Sequence, residues 1–286
     1  MTAALLAQGL VIGLVNGILY VLVALGLTLI YGIVHIVNFA HGEVYMLGAM
    51  GIYVLHVAAG WPLPLAMAAV LAASWAAGVA VERAFFRPLR GQWLQLVVAS
   101  VGISLIAQSL SWVIFGAQEK YVPSYLPGVV QAFGVRIQLE RLLAAGVALA
   151  LVAGLYALVH RTRLGMAMRA IEEDEETARM LGVDSDRVAS TTVGLGFLLA
   201  ALGGALVAPI YSINPGMGLE TILMSFIIVI IGGLGSITGT VLAGLLIGIL
   251  QSIGALAFGA EAATILVFGA MIVVLILRPQ GLMGRA

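Results

Sequence analysis

The chain of 286 residues has no cysteine, one lysine (Lys120), and only 13 basic and 13 acidic side chains. The first absence excludes disulfides, thiolate metal sites and a cysteine nucleophile. The scarcity of charge excludes a soluble globular surface. Charged residues make up 9% of the chain and hydrophobic ones 62%, against roughly 25% and 45–50% in an ordinary soluble domain. The solvent that suits such an exterior is lipid. A net charge of zero leaves no basic surplus to neutralise phosphates, which sets nucleic acid aside as a partner. The lone lysine follows Glu119, so the G-K-[ST] ending of a phosphate-binding P-loop cannot occur.

What the chain does have is long apolar runs. A bilayer core about 30 Å thick takes roughly 20 helical residues. Such runs lie near 9–31, 44–60, 63–82, 93–116, 139–160, 189–210, 238–256 and 262–278, and a shorter ninth at 220–234 either crosses or dips in and returns. They are continuously apolar or small rather than alternating, which argues against a membrane barrel. The reading is an all-α polytopic membrane protein with eight or nine transmembrane helices, some broken or re-entrant, forming one domain over 1–286. The opening MTAALLAQ has no basic residue ahead of its apolar run and no obvious cleavage site, and reads as a retained first helix.

Basic residues orient these spans. Arg83, Arg87, Arg90, Arg161, Arg163, Arg169, Arg179, Arg187, Arg278 and Arg285 fall on one side, and Lys120, Arg136 and Arg141 on the other. By the positive-inside bias, loop 161–188 and the tail are cytoplasmic and loop 117–138 is external. Nine crossings would then put the N-terminus outside, and eight would put it inside.

Small residues recur at helical spacing. Gly9, Gly13 and Gly17 share one face, as do Gly244 and Gly248, and such faces permit close helix contact in lipid. Gly232, Gly233, Gly235 and Gly239 would break a helix. Polar groups interrupt the apolar pattern at His35, Asn38, His41 and Glu43, beside Gly42. A carboxylate at that depth must face protein, water or an interface. Asn38, His41, Gly42, Glu43, Gly232, Gly233 and Gly235 are therefore the candidates for a translocation path or hinge; a solvated interfacial turn is the plainer account of 35–43. The spacing of His35, Asn38 and His41 spreads them around a helix and gives no metal site. Asn16 and Gln108 read as interhelical contacts, and Glu220 as a first-turn carboxylate favoured by a helix dipole.

Loop 161–188 holds 12 of the 26 charges. Met168, Ile171, Ala178 and Leu181 follow helical spacing, with Glu172 to Glu176 and Arg179 between them, so a helix over about 166–181 is expected, ended by Gly182. Its acidity disfavours an anionic lipid surface and favours a protein partner.

Three segments in this order resemble the LivH-type permeases of branched-chain amino acid ABC importers: YGIVHIVNFAHGEVYMLGA (31–49), RLGMAMRAIEEDEETARMLGVD (163–184) and IIVIIGGLGSITGTVLAGLLIG (227–248). The terminal RPQGL (278–282) extends the resemblance over almost the whole chain. It implies a bacterial inner-membrane subunit that is not an enzyme and binds no cofactor itself. It also implies a second related permease, two ATPase subunits using ATP and Mg, and an external binding protein. Glu176, Ala178 and Gly182 match the E-A-A-x-x-x-G spacing of the family's coupling loop, with Thr177 at the middle alanine. The resemblance places Gly165, Arg169, Ala170 and Leu181 in the same coupling element. The run of five acids departs from the pattern. An ion-coupled secondary transporter or channel, with Glu43 as its charge, and a permease for urea or short amides are the competing readings.

Overall fold

The structure, a computed structural model, describes residues 3–132 and 134–284. It is nearly all helix. Among the described residues, seven helices are long and apolar enough to cross a bilayer: α1 (Ala3–Val34), α3 (Leu63–Val81, continued by irregular helical turns to Leu89), α4 (Trp93–Phe115), α5 (Leu139–Arg161), α8 (Ser185–Val207), α10 (Ile237–Phe258) and α11 (Ala260–Leu277). Two shorter helices are α2 (His41–Ile52), followed by a wider turn over Tyr53–Ala58, and α9 (Met217–Gly232). The apolar run 44–60 is thus a helix that begins at His41 and loosens at Tyr53, and the first run extends to both sides of 9–31.

One departure from the all-α expectation lies in the loop between α4 and α5, where β1 (Val129–Ala132) and β2 (Val135–Gln138) pair antiparallel, Val129 opposite Gln138. Gln8 of α1 binds this hairpin, donating to the Arg136 carbonyl at 2.7 Å and accepting the Arg136 N–H at 2.9 Å. The start of α1 and the hairpin therefore share one end of the bundle. The other end carries Arg87, Arg90, and the helices α6 (Arg163–Glu173) and α7 (Glu175–Met180).

The centre is built from α1, α2, α8 and α10. α8 is buried along most of its length, while α4 and α11 are hardly buried at all and turn apolar faces outward. The two glycine stripes meet each other. A methyl group on Gly13 would lie 2.7 Å from the Ile249 α-carbon and 2.9 Å from the Gly248 carbonyl, and one on Gly17 would lie 2.8 Å from the Gly244 carbonyl. With little hydrophobic drive between helices in lipid, this backbone approach is what holds α1 to α10. Polar groups are satisfied inside the same seam, where the Thr28 and Thr240 hydroxyls lie 2.7 Å apart and Ser252 donates to the Gly9 carbonyl at 2.8 Å. Trp75 of α3 packs against Gly194 of α8, whose missing side chain makes room for the indole.

Candidate functional site

Between α1 and α2 the chain leaves helical geometry for six residues, 35–40. His35 adopts φ +55°, a conformation rare outside glycine and asparagine, which turns the chain back on α1. Ile36 to Ala40 return alongside the bundle, and α2 starts at the level of Val23, in the middle of α1. There, His41 donates from Nε2 to the Val23 carbonyl at 3.0 Å and meets the Phe197 ring edge-on. The Asn38 side-chain oxygen accepts the Ala40 N–H at 3.1 Å and closes the turn. Ser100 of α4 accepts the Phe39 N–H at 3.3 Å, and Ser104, one turn on, donates to Glu43 Oε1 at 3.1 Å.

Asn38, His41, Gly42 and Glu43 are therefore brought together, all buried, where α2 meets α4 and α9. Glu43 lies in the first turn of α2, where the helix dipole favours a carboxylate. Its Oε2 lies against Gly218 in the first turn of α9. Three buried polar atoms, Asn38 Nδ2, His41 Nδ1 and Glu43 Oε2, have no hydrogen-bond partner among the described residues. Such groups are costly and mark strain or function rather than packing. His35, by contrast, is exposed and lines a cleft at the arginine-rich end with Arg90 and Trp93.

The second half of the chain repeats this break. Asn214 accepts the Gly216 N–H at 2.9 Å just as Asn38 accepts that of Ala40, and Gly218 follows Asn214 by the same four residues that separate Gly42 from Asn38. Each glycine then meets the other, α2 crossing α9 at their first turns. The same offset carries α1 onto α8 and α3 onto α10, and the α1–α10 contact has its counterpart in α8–α3. Because α1 and α8 run antiparallel, the repeat is inverted, an architecture recurrent among transporters with broken helices. The signal was present in the sequence as Asn-x-x-x-Gly at 38–42 and 214–218, but four ordinary residues announce nothing until both copies form the same turn.

Gly232, Gly233 and Gly235 do not join this cluster. They form the turn between α9 and α10, at the far end of α9 from Gly218, about 21 Å away at 1.5 Å per residue. Gly233 and Gly235 adopt φ +102° and +83°. The tail braces the turn, Leu282 and Met283 donating to the carbonyls of Ile231 and Gly232 at 2.7 and 3.0 Å.

The coupling candidates lie at the arginine-rich end, on two helices where the spacing predicts one. Asp174 takes an extended conformation and caps α7, accepting the N–H groups of Glu176 and Thr177 and the Thr177 hydroxyl, at 3.0, 3.1 and 2.6 Å. Aspartate competes with the helix for its own backbone and so splits the segment. The Thr177 hydroxyl and these backbone donors hold the Asp174 carboxyl below its ordinary value. Gly165 fits against the Leu158 and Val159 carbonyls at the end of α5, and Arg169 donates to the Val159 carbonyl. Ala178 is buried and Ala170 half-buried, while Glu176 is exposed. Leu181, expected on the buried face, is 80% exposed, because the helix ends at Met180 and Gly182 turns at φ +89°. Met180 is 75% exposed beside it.

α7 is tied to the membrane helices by charges that the sequence pattern did not single out. Glu82, fully buried at the end of α3, pairs with Arg87 at 3.1 Å and with Arg90, and accepts the Ser190 hydroxyl of α8 at 2.5 Å. Asp186 at the start of α8 holds Arg90 at 2.5 Å and Arg87 at 3.5 Å. Arg179 of α7 joins them, donating to Ser185 at 2.5 Å and to Glu175 at 2.8 Å.

Residues 9–276 match the family described as the permease component of branched-chain amino acid transport systems. The chain belongs to this family. Among relatives, this permease is 37% identical to the high-affinity branched-chain amino acid transport system permease protein BraD of Pseudomonas aeruginosa, over 97% of its own length and 95% of the relative's. It is 31% identical to LivH, described in the same words, of Escherichia coli strain K12, with 96% and 94% covered. A probable LivH of Methanocaldococcus jannaschii is 29% identical, with 93% and 89% covered. No solved structure matches the permease.

Proposed function

We propose that this chain is the membrane-spanning subunit of an ATP-driven importer of branched-chain amino acids in the bacterial inner membrane. The observation that carries the reading is near full-length likeness to permeases of that transport system, combined with an anchored helix pair, α6–α7, that exposes Met180 and Leu181 to solvent. Large apolar side chains exposed beside a charged helix suit a docking partner. The chain has no P-loop lysine, so ATP and Mg belong to that partner. A second permease subunit, two ATPases and an external binding protein complete the assembly.

In this reading the nine helical passes, α2 and α9 included, all cross, the N-terminus lies outside, and loop 161–188 and the C-terminus lie in the cytoplasm. The crossing of α2 and α9 at Gly42 and Gly218 is the hinge. ATP binding moves α7, and the Arg179–Asp186–Arg90–Glu82 chain of charges passes that motion to α3 and α8. Alternating access needs two discrete packings of rigid helices, and two broken helices crossing at glycine supply the pivot. The test is ATP-dependent uptake of labelled leucine against urea by the co-purified complex in proteoliposomes. Leucine uptake that requires ATP is expected. Uptake driven by an ion gradient without the ATPases would overturn the reading.

A further inference from the structure

Every ion pair among the described residues joins side chains within 82–90 and 175–187, at the arginine-rich end. At the hairpin end two arginines stand without an acid. Arg141, in the first turn of α5, donates to Asn16 Oδ1 and to the Tyr211 hydroxyl, each at 3.2 Å, and lies 5.1 Å from the centre of the Tyr211 ring. Both hydrogen bonds leave from Nη1, so Nη2 and the Nε–H stay uncommitted among the described residues. The Arg136 side chain makes no hydrogen bond or ion pair among them; only its backbone is used, by Gln8. Glu140, next to Arg141 in the chain, turns instead to the Tyr125 N–H at 3.0 Å.

Both arginines line one cleft of about 290 Å³ between α1, β2 and the start of α5, together with Ile12, Asn16, Ile137 and Tyr211. Its wall contains no acidic side chain. Two uncompensated guanidiniums in one cleft repel each other and call for an anion, and free N–H groups in a planar fork match a phosphate or a carboxylate.

The depth of the cleft separates these two. Asn16 lies 18 residues before Val34, which borders the cleft beside Arg90 at the arginine-rich end, and Arg141 lies 20 residues before Arg161 at the end of α5. At 1.5 Å per residue these lengths are about 27 and 30 Å, the thickness of a hydrocarbon core. The contact of Arg141 with Asn16 and Tyr211 therefore stands at headgroup level, where arginine and tyrosine serve as interfacial anchors. Past Arg141 the outward surface of α5 is apolar, with Leu142, Leu143 and Leu149 exposed. A free solute has no use for such a surface, whereas a phospholipid brings a phosphate to this depth and acyl chains to those leucines.

We infer that the cleft holds the phosphodiester of an anionic phospholipid, Arg136 and Arg141 taking its oxygens and the exposed leucines of α5 lying along its chains. The ammonium of a zwitterionic headgroup would meet two cations and no acid, so the site selects lipids of net negative charge. Bound there, the lipid joins the hairpin to α5 and α1 at a charge pair that the protein itself leaves open.

Native mass spectrometry of the full-length permease in neutral detergent tests it, after exchange with phosphatidylglycerol or phosphatidylcholine. The wild type is expected to retain phosphatidylglycerol at least threefold better than phosphatidylcholine, and the double variant Arg136→Gln, Arg141→Gln to lose that preference. Arg161→Gln, which removes a charge at the other end of α5, should keep it. Equal retention of phosphatidylglycerol by the wild type and the double variant, or an equal loss in Arg161→Gln, overturns the site. Because Arg141→Gln also removes two internal hydrogen bonds, Arg136→Gln alone decides where the double variant does not fold: a preference reduced at least twofold supports the site, and an unchanged one overturns it. Inorganic phosphate and leucine separate the sources of the anion. If either raises the thermal midpoint of the wild type as far as phosphatidylglycerol does, the occupant is a free anion and the lipid assignment falls.

Discussion

Gly42 and Gly218 touch backbone to backbone: a methyl group on Gly218 would lie 2.9 Å from the Gly42 carbonyl, and one on Gly42 would lie 2.7 Å from the Ile222 β-carbon. Neither neighbour is the loose end of a side chain. Gly42→Ala and Gly218→Ala should each destabilise the permease by about 1–3 kcal/mol, the usual cost of overpacking. Gly102→Ala and Gly269→Ala, where nothing lies within 4 Å, should be neutral. Thermal unfolding in detergent distinguishes the two pairs, and equal effects would remove the crossing as a tight contact.

Glu82 has no solvent exposure, while the side chains of Arg87 and Arg90 remain 33% and 20% exposed. Glu82→Gln leaves two cations facing a neutral group, at a cost on the order of 3 kcal/mol. Ser190→Ala removes two hydrogen bonds, the one donated to Glu82 and the one accepted from Arg87, and should cost about 1–2 kcal/mol. Denaturant midpoints give both values; if Glu82→Gln costs no more than Ser190→Ala, the buried pair is not a structural anchor.

Asp174 holds α7 only as a carboxylate. Its folded value lies below the ordinary 3.8, so its contribution is complete above that value and is lost as pH falls through the lower, folded one. Asp174→Asn should keep the cap and make α7 insensitive to acid, whereas Asp174→Ala should loosen it at neutral pH. Hydrogen exchange of the amides at 176–180 reads this directly; equal protection in the wild type and Asp174→Ala would dismiss the cap.

Gly182 turns at φ +89° into open space, so a side chain there meets strain but no clash. Gly182→Glu should uncouple ATP hydrolysis from uptake by more than tenfold without unfolding the bundle, because it alters only the end of α7. Leu181→Asp, at an exposed site, should weaken ATPase association while leaving permease stability within about 0.5 kcal/mol of wild type. Unchanged transport in Gly182→Glu, or unchanged association in Leu181→Asp, would detach α7 from coupling.

The solvent, the helical class and the family were legible in the sequence alone. Each follows from composition, run length or contiguous motifs, which are local properties of the chain. It also marked faces: the stripes at Gly9–Gly17 and Gly244–Gly248 were legible as contact surfaces, and Asn38 to Glu43 as a break. Tertiary structure alone decided which face meets which. In lipid, apolar surfaces have little preference for one another, so pairing is chosen by shape at close approach, and shape is not written in hydropathy. That is why the Gly42–Gly218 crossing, the helix split at Asp174 and the buried Glu82 network emerged only in three dimensions.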